Sequence, residues 1–113
     1  MNNMFGMHQH HIVFRSHGGM DFPLNLVELS QEDHEGDMGP HKNRETDLML
    51  KTGLQNKLFE LFPEEELFDI DTISEKLGRT SKYFAPRFRK VPQVAGMYKG
   101  IDVVKHLMGG RFY

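Results

Sequence analysis

Short apolar runs separated by turn residues occupy the first thirty positions of the chain. A β-branched and aromatic run at residues 12–14 stops at the Ser-His-Gly-Gly segment of residues 16–19, where two glycines permit positive φ and a turn. The segment at residues 24–30, Leu-Asn-Leu-Val-Glu-Leu-Ser, has the apolar content of a return strand. This order predicts a two-stranded β-hairpin with a loop spanning about residues 16–23.

Helical spacing of apolar residues replaces the strand pattern after this point. Ser30 and Asp33 have the spacing of a capping box, which predicts a short helix. Gly36 and the Gly-Pro pair ending at Pro40 are expected to end that helix early. A longer scaffold helix is predicted from about 44 to 62 by apolar residues recurring at spacings of three and four. These are Leu50, Leu54, Leu58, Leu61 and Phe62.

The last third of the chain predicts short helices separated by turns. Apolar residues recur at helical spacing in residues 71–78 and 101–110. The acidic segment 63–66 predicts a further helix start, because carboxylates favour the positive end of the helix dipole. The expected fold class is α+β, with a hairpin-and-helix core and a mainly α-helical C-terminal extension. We place the core and its scaffold helix in residues 1–62 and the extension in residues 63–113.

Composition limits the class of protein. The chain has 113 residues, which suits one domain of about 100 residues rather than two independent ones. No apolar run reaches the roughly 20 residues that a membrane helix needs. The first residues lack the basic flank and apolar core of an export signal. We therefore expect a cytoplasmic protein that does not associate with a membrane.

The candidate metal-binding residues of this chain are histidines rather than cysteines. The chain has no cysteine, and six of its seven histidines lie between residues 8 and 41. Disulfide scaffolds and zinc sites that need cysteine are therefore excluded, and any metal must be held by imidazole or carboxylate.

A hairpin followed by a short helix can direct side chains from both elements to one point. These side chains are His10 and His11 from the first strand, Asn25 from the second, and His34 and His41 from the helix and the loop after it. Adjacent strand residues point to opposite sides. One of the two neighbouring histidines is therefore expected to bind metal and the other to act as a base.

Hydrolysis of a phosphodiester explains why these residue types occur together. A divalent cation binds the scissile phosphate, offsets the charge of the five-coordinate phosphorus and stabilises the departing 3′ oxygen. Neutral imidazoles suit such a cation if coordination positions remain open. Imidazole is also a suitable base for the attacking water, because its pKa of about 6.5 lies near neutral pH.

The ordered motifs His-His-Ile-Val-Phe-Arg-Ser-His-Gly-Gly, Asn-Leu-Val-Glu-Leu, and a histidine followed by Gly-Pro-His resemble the HNH nuclease family. The segment at residues 39–51 is similar to small phage- and prophage-encoded members. The resemblance covers about residues 8–60. It implies the ββα-metal fold, in which a hairpin and a helix surround a divalent ion.

The resemblance also implies roles for individual residues. His10 and His34 would be metal ligands, and His11 the general base. Asn25 would brace the loop that orients this base. His41 is the expected third ligand, although it follows His34 by seven residues rather than by one helical turn. The expected cofactor is a divalent metal ion, Mg²⁺ or Mn²⁺, with Zn²⁺ or Ni²⁺ as alternatives.

A basic segment in the extension indicates a polyanionic partner. Residues 76–90 contain six basic and no acidic residues, although the formal net charge of the chain is −2. A local positive field of this kind suits DNA. The candidate DNA contacts are Arg15, Lys82, Arg87, Arg89 and Lys90.

The basic segment also resembles, weakly, a helix-turn-helix over residues 72–91. Pro86 argues against it, because it falls about five residues into the second helix, where proline breaks the hydrogen-bond ladder. Either that helix begins at Pro86 or the segment has another shape. A face that contacts only the DNA backbone would position DNA without reading its sequence.

Two functional hypotheses follow. In the first, the protein is a metal-dependent DNA endonuclease or nickase that leaves 5′-phosphate and 3′-hydroxyl ends, as the family implies. In the second, it is a catalytically inactive DNA-binding module in which the same fold holds a structural metal. A homodimer or a phage protein partner would suit double-strand cutting. Phage packaging, homing and attack on the host genome all remain open as biological roles.

Overall fold

An antiparallel hairpin is the first element of the computed structural model, which describes residues 7–113. β1 (Met7–His11) pairs with β2 (Leu26–Ser30). His10 lies opposite Val27, and His11 lies opposite Leu26. The predicted pairing of two strands is therefore confirmed.

The loop of the hairpin is longer than the sequence predicts. β1 ends at His11, and two short 3₁₀ turns, Arg15–His17 and Pro23–Asn25, lie in the connection. The expectation that residues 12–14 continue the strand is wrong. The reason is that Val13 bonds through both its N–H and its carbonyl to the Asn25 side chain rather than to a strand.

Two helices follow the hairpin as predicted. The first, α1 (Gln31–Glu35), begins where the Ser30 hydroxyl accepts a hydrogen bond from the Asp33 amide at 3.0 Å. It ends at Gly36, and α2 (Arg44–Leu61) follows after a loop. The short capped helix and the scaffold helix are both confirmed.

The remainder of the chain contains three short helices and a second small sheet. The elements are β3 (Leu67–Phe68), α3 (Ile70–Leu77), α4 (Ser81–Arg87), β4 (Tyr98–Lys99) and α5 (Gly100–Leu107). β3 and β4 pair antiparallel. The described residues therefore form an α+β fold with two small antiparallel sheets.

Two details of the extension differ from the sequence prediction. The acidic segment forms a turn, in which the Glu66 amide donates to the Pro63 carbonyl, rather than a helix start. Pro86 lies inside α4 as its sixth residue, so the expectation that the second helix begins at Pro86 is wrong. The helix tolerates proline there because it ends one residue later, while the flanking Phe84 and Phe88 are fully buried.

One hydrophobic core includes residues from both predicted segments. Val13 and Phe22 of the hairpin loop are completely buried in it, as are Leu58 of α2, Phe84 of α4 and Leu107 of α5. The core is thus continuous across the boundary at residues 62 and 63. The division into a core and an extension stays a prediction.

The helices of the described part are short or polar. Across residues 7–113, no helix combines the length and the apolar composition needed to cross a membrane.

Two glycines provide opposite tests of this packing. A Cβ at Gly53, on α2, would meet no atom within 4 Å, so Gly53→Ala is expected to raise the free energy of unfolding by about 0.5–1 kcal/mol. A Cβ at Gly100 would lie 1.9 Å from the Pro63 carbonyl oxygen. Gly100→Ala is therefore expected to lower that free energy by about 2 kcal/mol. Urea denaturation measures the free energy of unfolding of both variants. Equal changes in the two variants would contradict this packing.

Candidate metal centre

Three histidines from three parts of the chain converge beside the hairpin. They are His10 of β1, His34 of α1 and His41 of the loop before α2. The Nε2 atoms of His34 and His41 lie 2.8 Å apart. The His10 ring centroid lies 5.0 Å from that of His34 and 5.1 Å from that of His41. One nitrogen from each ring lies within 4.8 Å of the other two.

The loop after α1 explains how residues seven positions apart meet. Gly36 ends the helix, and the Gly39 amide donates to the Gly36 carbonyl. A Cβ at Gly39 would lie 2.4 Å from the Asp33 carbonyl oxygen, so only glycine allows the chain to fold back this closely. The tight turn returns His41 to the side of His34.

Burial leaves one nitrogen of this cluster without a partner. His10 is 2% exposed, and its Nε2 atom makes no hydrogen bond within residues 7–113. An unpaired buried polar atom is costly, and native structures rarely keep one without a reason. A metal ion bound at this nitrogen would supply the missing interaction.

The electrostatics of the cluster favour neutral imidazoles. Burial, followed by the nearby charges of His34 and His41, lowers the pKa of His10 to about 4. Burial and the neighbouring His41 and His8 also lower the pKa of His34. Both rings are therefore neutral at pH 7, which is the form that binds metal.

The three imidazoles fit a catalytic metal better than a closed structural one. Three protein ligands leave coordination positions for water and substrate, whereas structural zinc sites take four. Within the described chain, no fourth side chain joins the cluster of His10, His34 and His41. The cluster lines an open pocket of about 250 Å³, which leaves room for a phosphate group.

His8 contacts the opposite nitrogen of His34. The two Nδ1 atoms lie 3.1 Å apart, and His8 Nδ1 also lies 3.6 Å from the Glu35 carboxylate. His34 therefore directs Nε2 to His41 and Nδ1 to His8. A hydrogen bond at the second nitrogen orients a metal-binding imidazole. The alternation of β1 brings His8 to the same face as His10, a signal present in the sequence.

His11 lines the same pocket but lies outside the three-histidine cluster. Its Nε2 atom lies 2.6 Å from Oδ1 of Asp21, and Arg15 Nη2 lies 2.8 Å from the other carboxylate oxygen. The hydrogen bond from His11, aided by Arg15, lowers the pKa of Asp21. The sequence gives no indication of this pairing, because the two residues meet only through the fold of the loop.

Asn25 holds the loop that carries these residues. Its completely buried side chain accepts from the Val13 amide at 2.8 Å and donates to the carbonyls of Val13 and Met20, at 3.2 and 2.8 Å. All three contacts lie in the segment between His11 and Asp21. The side chain thus braces the loop, and its contribution to activity stays a prediction.

The candidate DNA contacts lie on exposed positions. Arg15, Lys82, Arg87, Arg89 and Lys90 are all exposed. Arg15 and Arg87 border one polar pocket with Asp21 and Tyr83, whereas Arg15 also borders the histidine pocket.

Two residues near these contacts, Arg79 and Tyr83, were not predicted from the sequence. The guanidinium groups of Arg79 and Arg87 each lie 3.8 Å from the centroid of the Tyr83 ring. Stacked guanidinium groups keep several N–H donors available for phosphate. The spacing of four residues from Tyr83 to Arg87 was the available signal, whereas Arg79 lies in the turn before α4.

The chain was compared with family models, curated proteins and solved structures. No family model, curated protein or solved structure matches the chain.

The buried His10 predicts a stability change with pH in metal-free protein. Its pKa falls from 6.5 to about 4 on folding, so the unfolded chain binds more protons between these values. The contribution of His10 to the free energy of unfolding is therefore fully present above pH 6.5. It is lost as the pH drops towards 4, which lowers the free energy of unfolding by on the order of 3 kcal/mol. Urea denaturation in the presence of a chelator, at several pH values, measures the slope.

Two variants isolate the contribution of His10. His10→Phe should reduce this pH slope, since it removes the group with the largest shift while filling a similar volume, and His34 keeps a smaller contribution. His17→Gln, at an exposed loop position, should keep the slope of the unmodified protein. An unchanged slope in His10→Phe would contradict the assignment.

Proposed function

We propose that the protein is a metal-dependent endonuclease of the HNH type that hydrolyses DNA phosphodiester bonds. In this proposal, β1, β2 and α1 form a ββα-metal unit. The observation that carries it is the unpaired, buried Nε2 of His10 beside His34 and His41, in a pocket that His11 also lines. The motif order supplies the likeness to the HNH family.

His10, His34 and His41 would hold the divalent ion. When bound, the ion supplies positive charge to the scissile phosphate and stabilises the departing 3′ oxygen. Imidazole ligands suit Zn²⁺ and Ni²⁺, whereas Mg²⁺ and Mn²⁺ prefer oxygen ligands. The pocket contacts therefore favour the softer ions more than the motif alone does.

His11 is the candidate general base. It borders the same pocket as the three ligands but makes its own hydrogen bond to Asp21. A base outside the coordination shell keeps its lone pair for the attacking water. Removal of a proton by a positioned base contributes roughly 10²–10⁴-fold to a rate.

The exposed basic residues provide a path for the DNA backbone. Arg15 borders both the histidine pocket and the polar pocket that Arg87 borders. A strand whose scissile phosphate lies at the histidines would meet Arg15 in the same pocket and Arg87 in the adjoining one. α3 and α4, joined by a turn with Gly78 at φ 80°, would form a helix-turn-helix-like arrangement with Lys82 on α4 and with Arg89 and Lys90 just after it.

Two histidine variants test the assignment of base and ligand. His11→Ala is expected to lose plasmid cleavage by roughly 10²-fold or more while metal binding stays near normal. His34→Ala is expected to lose both. Plasmid relaxation with Mg²⁺, Mn²⁺, Ni²⁺ or Zn²⁺, together with calorimetric metal titration, measures the two properties.

His17→Ala, at an exposed loop position, is the matched control and should cleave normally. If the unmodified protein binds DNA in the presence of metal but does not cleave it, the inactive DNA-binding module would be favoured. Loss of metal binding in His11→Ala would mean that the roles of His10 and His11 are exchanged.

A charge-removal variant tests the basic surface. Replacing Lys82, Arg87 and Arg89 by alanine should weaken DNA binding and reduce the slope of log K against log salt by about 0.9 for each lost phosphate contact. Fluorescence anisotropy with a labelled duplex measures this slope at several salt concentrations.

The control for this variant removes the same number of charges elsewhere. Lys57, Lys105 and Arg111 are exposed, and their replacement by alanine should leave the slope near that of the unmodified protein. Equal effects of the two triple variants would contradict a specific basic surface.

A further inference from the structure

A short contact between His11 and Asp21 links β1 to the loop of the hairpin. His11 Nε2 and Asp21 Oδ1 lie 2.6 Å apart, and both side chains are partly shielded from solvent. An ionised carboxylate only accepts hydrogen bonds. The proton of the neutral imidazole is therefore on Nε2, and the lone pair is on Nδ1.

Asp21 is itself fixed by contacts along its whole length. Its amide donates to the Tyr83 hydroxyl at 2.8 Å, and its carbonyl accepts from Arg79 Nη1 at 3.0 Å. Its carboxylate accepts from Arg15 through Nη2 at 2.8 Å and Nε at 3.3 Å. The backbone of Asp21 is therefore held by the α3–α4 turn and by α4, while its carboxylate is held by Arg15 and lies against His11.

We propose that Asp21 is a positioning residue that holds His11 in the tautomer with a basic Nδ1. The inference rests on the proposed nuclease function and adds a residue to it. Asp21 acts through His11 and does not contact the reacting phosphate. Arg79 and Tyr83 hold its backbone, so the C-terminal segment helps to set the orientation of the base.

The proton balance of the step follows from this tautomer. A water proton moves to Nδ1 of His11 while the water oxygen forms a bond to phosphorus. The bond from phosphorus to the 3′ oxygen breaks, and its electron pair leaves with that oxygen, which takes a proton from solvent. The imidazolium then carries protons on both nitrogens, and the Asp21 carboxylate stabilises it until Nδ1 releases its proton to solvent.

The experiment combines a structural readout with kinetics. In metal-free protein labelled with ¹⁵N, long-range ¹H–¹⁵N correlation spectra report which nitrogen of His11 carries the proton. The unmodified protein is expected to show the Nε2–H form, and Asp21→Ala a mixture of both tautomers. Asp21→Ala should also lower kcat for plasmid cleavage by roughly 10²-fold, with KM and metal affinity within about twofold.

Two further variants separate positioning from general stability. Asp21→Asn keeps an oxygen that accepts from Nε2 but lacks the charge, so it should retain the tautomer and lose less kcat than Asp21→Ala. Asp71→Asn alters a carboxylate that bonds Ser81 on α4, and it should change neither readout. Thermal melts identify any variant that fails to fold, in which case Asp21→Asn alone decides the outcome.

The results that overturn the inference are distinct from those that overturn the function. A proton on Nδ1 of His11 in the unmodified protein, or full kcat in folded Asp21→Ala and Asp21→Asn, would overturn the positioning role. No cleavage by the unmodified protein with any metal would overturn the nuclease itself and the positioning role with it.

Discussion

The buried amide of Asn25 is the contact on which the candidate site depends. By bonding both backbone groups of Val13 and the carbonyl of Met20, it ends β1 and closes the long loop. His10 and His11 consequently lie at the end of a strand, where both line one pocket. Because the same loop carries Arg15 and Asp21, one fully buried side chain fixes both the position of the histidines and that of their partners.

The core connects this loop to the helices that follow. Val13 and Phe22 of the loop are completely buried, and the Phe22 ring centroid lies 6.3 Å from that of Phe84 in α4. Packing against α4 brings Tyr83 within hydrogen-bond distance of the Asp21 amide. A charged and polar network on the surface thus rests on apolar contacts beneath it, which links the C-terminal segment to the proposed base.

Local signals predicted part of this structure, and long-range contacts account for the rest. The pairing of two strands, the Ser30 cap and the scaffold helix follow from turn, capping and spacing rules that act over a few residues. The end of β1 depends on Asn25, twelve residues from Val13, and β3 pairs with a strand thirty residues away. The histidine cluster was expected from the motif, whereas the Asp21 contact with Tyr83 depends on core packing.

Anomalous diffraction from crystals grown with Zn²⁺ would decide whether the three histidines bind a metal, because it locates the ion without reference to activity. We expect one peak about 2.1 Å from a nitrogen of each of His10, His34 and His41, with His11 outside the coordination shell. Three results would contradict this expectation: an ion held instead by His8 and Glu35, a coordination shell that includes His11, or no ion bound at these histidines.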